Sequence, residues 1–91
     1  MGRKKGAFLL LITEEEAQLI STLSRQTLYQ TKELAEMTQQ EIKYVPIRLR
    51  KLISRNFVER YSHNSWRLTL LGEKLQRFID ILTSEDHEDE V

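Results

Sequence analysis

Residues 31–72, TKELAEMTQQEIKYVPIRLRKLISRNFVERYSHNSWRLTLLG, decide the reading of this chain. They run as a short helix, a tight turn, a second helix carrying Arg48, Arg50, Lys51 and Arg55, and then a β-hairpin. Thr31 is placed as the cap of the first helix, over 32–37, with Leu34 and the small Ala35 facing inward. The second helix is expected over 41–55, because Val45, Leu49, Leu52 and Ile53 fall on one face at helical spacing. Pro46 leaves its start open. A proline is tolerated in a first turn, which favours a start near Ile42 or Lys43. Thr38 and Glu41 form an alternative capping box that starts the helix earlier, with a bend. Strands are expected at 57–61 and 66–70, joined by the polar turn Ser62-His63-Asn64-Ser65. Trp66, Leu68 and Leu70 alternate, so they are assigned to one buried face. Trp66 and Tyr61 read as packing aromatics rather than base-stacking platforms.

Outward from this stretch, Thr13 and Glu16 form a capping box, and Glu14, Glu15 and Glu16 suit the positive end of a helix. Ala17, Leu19, Ile20 and Leu23 give that helix its buried stripe, and it is expected to end at 24–26. Leu28-Tyr29-Gln30 reads as a very short strand. Thr69 caps a last helix, to about Leu82, with apolar Leu71, Leu75, Phe78, Ile79 and Leu82. The chain therefore divides into a basic arm with a short apolar segment (1–12), one folded domain (13–83, its last helix over 70–82), and an acidic tail (84–91). That tail has the composition of a disordered segment. Periodicity does not decide whether 8–12 is a strand or a helix-packing segment.

Composition excludes several classes. A chain of 91 residues has room for one core. It has no Cys, hence no disulfide, which fits a reducing compartment such as the cytoplasm. No apolar run approaches the ~18 residues of a membrane span, so no membrane role is expected. The net charge of zero hides an asymmetry. Five acids and no base lie in 85–91, while the other 84 residues hold 14 bases and nine acids, a net of +5. Between 43 and 67 stand seven bases and one acid, Glu59. The local field therefore matters more than the total.

The order helix, short strand, helix, helix, hairpin, helix resembles a winged helix-turn-helix domain, and the wording is similar to MarR-like and ArsR-like regulators. Glu33-Leu34-Ala35, Val45 with Leu49, the turn Arg55-Asn56-Phe57-Val58-Glu59-Arg60, and Leu68-Thr69-Leu70-Leu71-Gly72 carry the resemblance, in the right order over roughly 13–82. It implies an α+β, mostly α fold: a three-helix core, a two-stranded wing and a C-terminal helix. Asn56 stands where the family often has Gly, and both tolerate a left-handed backbone. Gln39 stands where the turn often has Gly, and Gln40 where an apolar residue is common. MarR-type proteins are longer than this chain, so small-molecule sensing is not carried over.

An α-helix fits the major groove of B-DNA, where base edges are distinguishable. With Val45 and Leu49 inward, the opposite face holds Lys43, Ile47, Arg50, Lys51 and Ser54, flanked by Tyr44, Arg48 and Arg55. Gln40, Lys43, Tyr44 and Ile47 are placed near base edges, Ile47 against a thymine methyl. Arg48, Arg50, Lys51 and Arg55 are placed on phosphates. His63 and Asn64 at the wing tip, flanked by Arg60 and Arg67, are placed on the minor groove or backbone. The expected function is sequence-specific binding of double-stranded DNA by a transcriptional regulator, a repressor acting by occupancy.

Leu71, Leu75, Phe78 and Leu82 follow the spacing of a short coiled-coil seam. With Ile79 they are assigned to a homodimer interface, with packing inside the monomer as the alternative. A two-fold dimer implies half-sites about one helical turn, ~34 Å, apart. No catalytic constellation is present: His63 lies in a turn, His87 in the acidic tail, and no Gly-rich phosphate loop occurs. Neither an enzyme nor a cofactor is expected. Two other readings compete with the regulator. One is a winged-helix module that binds a protein partner, and the other a plasmid or viral replication or partition protein.

Overall fold

The computed structural model describes residues 12–89, with side chains through residue 83. The basic arm and most of the segment 8–12 lie outside the described residues; Ile12 is inside them and buried in the core.

Helix α1 (Glu14–Thr22) starts as its sequence requires. Thr13 Oγ1 accepts from the Glu16 N–H at 3.1 Å, and Glu16 Oε1 accepts from the Thr13 N–H at 2.9 Å. It stops at Thr22, slightly before the expected 24–26. The carbonyls of Ile20 and of Leu23, the residue that caps its end, accept from Gln76 Nε2 at 2.8 and 2.7 Å. A later helix thus satisfies acceptors that a helix end leaves open.

Strand β1 (Tyr29–Gln30) leads directly into α2 (Thr31–Thr38). Here the expected cap is wrong by one residue. Gln30 is the N-cap, its N–H donating to Glu33 Oε1 at 2.9 Å. Thr31 is the first helical residue, and its buried Oγ1 accepts from Trp66 Nε1 at 2.8 Å. The buried indole N–H needs an acceptor, and the threonine supplies it.

Helix α3 (Val45–Ser54) begins later than either expected start. Residues 42–44 form a turn, and Pro46 is the second helical residue, where a missing N–H costs nothing. Both α2 and α3 end on a left-handed residue that is not glycine: Gln39 at φ 58° and Asn56 at φ 69°. The same closure follows each. Gln40 N–H donates to Ala35 O at 2.9 Å, and Phe57 N–H to Leu52 O at 3.0 Å.

The hairpin is β2 (Val58–Ser62) and β3 (Ser65–Leu68), turning at His63-Asn64. With β1 it makes an antiparallel sheet in the order β1-β3-β2. The pairing steps from Arg60↔Trp66 to Ser62↔Ser65, leaving Tyr61 opposite no residue. A bulge of this kind turns its extra residue outward, and Tyr61 is exposed rather than packed. Trp66 and Leu68 face the core as expected. Leu70 does not; it is 55% exposed, because the strand has ended and Leu70 opens α4 (Leu70–Asp89).

Thr69 caps α4 as expected, its Oγ1 accepting from the Gly72 N–H at 3.0 Å. The same hydroxyl donates to Asn56 O, and the Thr69 N–H donates to Phe57 O at 3.1 Å. These bonds tie the start of α4 to the end of α3. The helix runs on past the expected end near Leu82 and through most of the acidic tail. No Gly or Pro after Gly72 stops it. Leu19, Ile20, Leu23, Leu34, Val45, Leu49, Leu52, Val58, Trp66 and Leu68 are almost wholly buried between the helices and the sheet. The fold is the expected mostly helical α+β one, with the wing on one side of a three-helix core. No helix of the described residues is long and apolar enough to cross a membrane.

Candidate nucleic-acid interface

The outward face of α3 follows from its inward one. Val45, Leu49 and Leu52 are buried, which turns Ile47, Arg50 and Lys51 to solvent. Ile47 is 48% exposed, an apolar side chain set among cations. Arg48, Arg50, Lys51, Arg55 and the wing's Arg60 have no carboxylate partner among the described residues. A one-signed surface of this kind attracts a polyanion over several ångströms of solvent.

Tyr44, just before α3, collects two cations. Lys43 Nζ lies 5.2 Å and the Arg48 guanidinium 5.4 Å from the centre of its ring. Such contacts partly order long basic side chains without neutralising them. Lys43 also approaches Glu41 at 3.8 Å, with both groups largely in water, so that pair contributes little.

Gln40, expected near base edges, makes its hydrogen bonds within the protein. Its Nε2 donates to Glu15 O at 3.1 Å and Gln18 Oε1 at 3.2 Å, and its Oε1 accepts from Arg48 NH1 at 2.8 Å. Both ends of the amide are engaged inside the protein. Sequence reasoning missed this, because its partners lie 22 and 25 residues upstream and eight downstream.

The wing divides into two parts. His63 and Asn64 are exposed at its tip. Arg60 curls over that tip, donating to His63 O at 3.0 Å and Ser62 O at 3.3 Å, with its guanidinium 5.4 Å from the Trp66 ring centre. Arg67 is occupied by Glu59 across the hairpin, a cross-strand ion pair that offsets its charge. Of the two bases flanking the tip, Arg60 therefore has no counter-charge among the described residues.

Two of the five residues assigned to a dimer interface lie elsewhere. Leu75 and Ile79 are 8% and 9% exposed and pack into the chain's own core with α1. Leu71, Phe78 and Ile81 are exposed by about half, and Leu82 is half-buried. The heptad-like spacing was shared between two faces: one serves the monomer, the other is at the surface. No grouping of metal-ligating side chains occurs among the described residues.

A basic helix following a short turn, an antiparallel wing and a long closing helix define a winged-helix domain. No family model and no curated protein sequence matches the chain. Solved structures do. Staphylococcus aureus MepR, solved as a complex with DNA, superimposes with a TM-score of 0.83 at 23% identity, over 99% of this chain and 81% of MepR. The MarR family protein Rv2887 of Mycobacterium tuberculosis gives 0.77 at 25% identity, over 91% of this chain and 64% of its own. Bacillus subtilis YodB, solved with a quinone bound, gives 0.76 at 24% identity, over 97% and 98%. The fold is thus the MarR-like winged helix that the sequence resembled. MepR and Rv2887 are longer than this chain, as expected of MarR-type proteins, whereas YodB is nearly coextensive with it.

Proposed function

We propose that this chain is a sequence-specific double-stranded DNA-binding transcriptional regulator that works as a homodimeric repressor. Helix α3 enters the major groove, and the wing lies on the adjacent backbone or minor groove. The observation that carries this reading is the outer face of α3: Arg48, Arg50, Lys51 and Arg55, without counter-charges among the described residues, around an exposed Ile47. Cations meet phosphates, while an apolar side chain among them suits a thymine methyl. Likeness to MepR, solved as a complex with DNA, supports DNA as the partner. The dimer rests on Leu71 and Ile81, apolar side chains left at the surface of α4.

The test is fluorescence anisotropy of the full chain on a mixed-sequence duplex, titrated across salt. Contact with four to eight phosphates gives a log–log slope of roughly −4 to −7. No binding at low salt rejects the DNA reading and turns attention to a protein partner.

A further inference from the structure

Arg48 differs from the other cations of α3. Arg50 and Lys51 are exposed with no ion-pair partner among the described residues, whereas Arg48 is half-buried and held from two sides. Below it lies the Tyr44 ring. Beside it Gln40 Oε1 accepts from NH1 at 2.8 Å. Gln40 is itself anchored on α1 through Glu15 O and Gln18 Oε1. The orientation of its amide is fixed by chemistry, since a carbonyl only accepts and a guanidinium only donates. One N–H group of Arg48 is used in this way, and a guanidinium has several more to offer.

We propose that Gln40 is a positioning residue: it presets Arg48 for a DNA backbone phosphate and does not itself read a base. This rests on the DNA-binding reading above. A free arginine loses rotamer freedom when it meets a phosphate. An arginine already fixed by a neutral partner loses less and keeps its full charge. A carboxylate at position 40 would also accept from Arg48, but it would cancel the charge and lose the donor that anchors the side chain to Glu15 O and Gln18 Oε1. An amide donates to α1, accepts from Arg48 and carries no charge.

The experiment is a double-mutant cycle on duplex affinity, read across salt, with wild type, Q40A, R48A and the double variant. Urea midpoints are measured alongside to separate folding from binding. Q40A is expected to weaken binding about 2- to 12-fold on every duplex, the range for releasing one ordered side chain. In the R48A background the same change is expected to have no further effect. Equal losses in both backgrounds would overturn the proposal, since Gln40 would then act without Arg48. A loss confined to particular sequences would overturn it too, because Gln40 would be a base reader. Q40E provides a second test. It pairs Arg48 with a carboxylate and should lower the salt slope by about 0.9, the share of one phosphate; an unchanged slope counts against the proposal. Absence of binding by wild type would reject the underlying DNA reading itself, whereas wild-type binding with an additive cycle rejects only the role of Gln40.

Discussion

Gly72 and the carbonyl of Phe57 are in such close approach that a Cβ on Gly72 would sit 1.9 Å from that oxygen. The obstacle is backbone, so no side-chain rotation relieves it. Here the start of α4 crosses the end of α3, and Thr69 already bonds to Asn56 and Phe57. G72A should cost about 2–3 kcal/mol, since inserting a carbon into a packed site forces backbone to shift. For a domain this size that is roughly 10–20 °C in Tm. A thermal melt within a few degrees of wild type would show that the crossing is looser than it looks.

Thr31 holds the buried indole of Trp66 by one hydrogen bond. T31V keeps the shape and removes the acceptor, leaving a buried N–H unpaired at a cost of about 1–3 kcal/mol. T31S should restore most of the loss. Urea unfolding of the two variants checks this; equal midpoints for valine and serine would mean the hydroxyl is dispensable.

Gln39 adopts a left-handed backbone at φ 58°, a conformation that costs a residue with a Cβ roughly 1–2 kcal/mol. Its side chain makes no hydrogen bond in return among the described residues. Q39G should therefore stabilise the domain by about 0.5–1 kcal/mol after glycine's own entropy cost. A lower urea midpoint would show that the side chain contributes something else at this turn.

Removing charge at Arg48, Arg50 and Lys51 together should weaken binding to all duplexes and lower the salt slope by up to about 2.7, at 0.9 for each phosphate. I47A should instead reorder preference among duplexes while leaving the slope alone. Retained affinity in the triple variant would remove α3 from the interface.

The sequence made local features legible where cause and effect lie within a few residues. The Thr13–Glu16 box, the Thr69 cap and the left-handed Asn56 are examples, and all three are present. It failed where a distant partner decides. Thr31 looked like a cap and is instead claimed by Trp66, 35 residues away. Gln40 looked free to read bases and is held by α1. Leu70 continued the alternation of a strand that had ended two residues before. Leu75 fitted a dimer seam by spacing and Ile79 was assigned beside it, yet the core of a small domain takes both first. Charge, by contrast, was readable at the level of the face but not of the residue: Arg67 counts as a base in composition and is cancelled by Glu59 in space.

The wing is fastened to the rest of the domain along its second strand. Asn64 O accepts from the Thr31 N–H at 3.1 Å, and β1 pairs with β3 at Tyr29↔Trp66 and Gln30↔Ser65. The hairpin is therefore tied to the first helix of the motif at the turn itself, which favours docking with its present shape kept. Such a protein resembles a calliper with its screw tightened. Against a duplex, the shape change of docking falls on the nucleic acid, and selection among sites should favour steps that bend or narrow easily, including base pairs that no side chain touches.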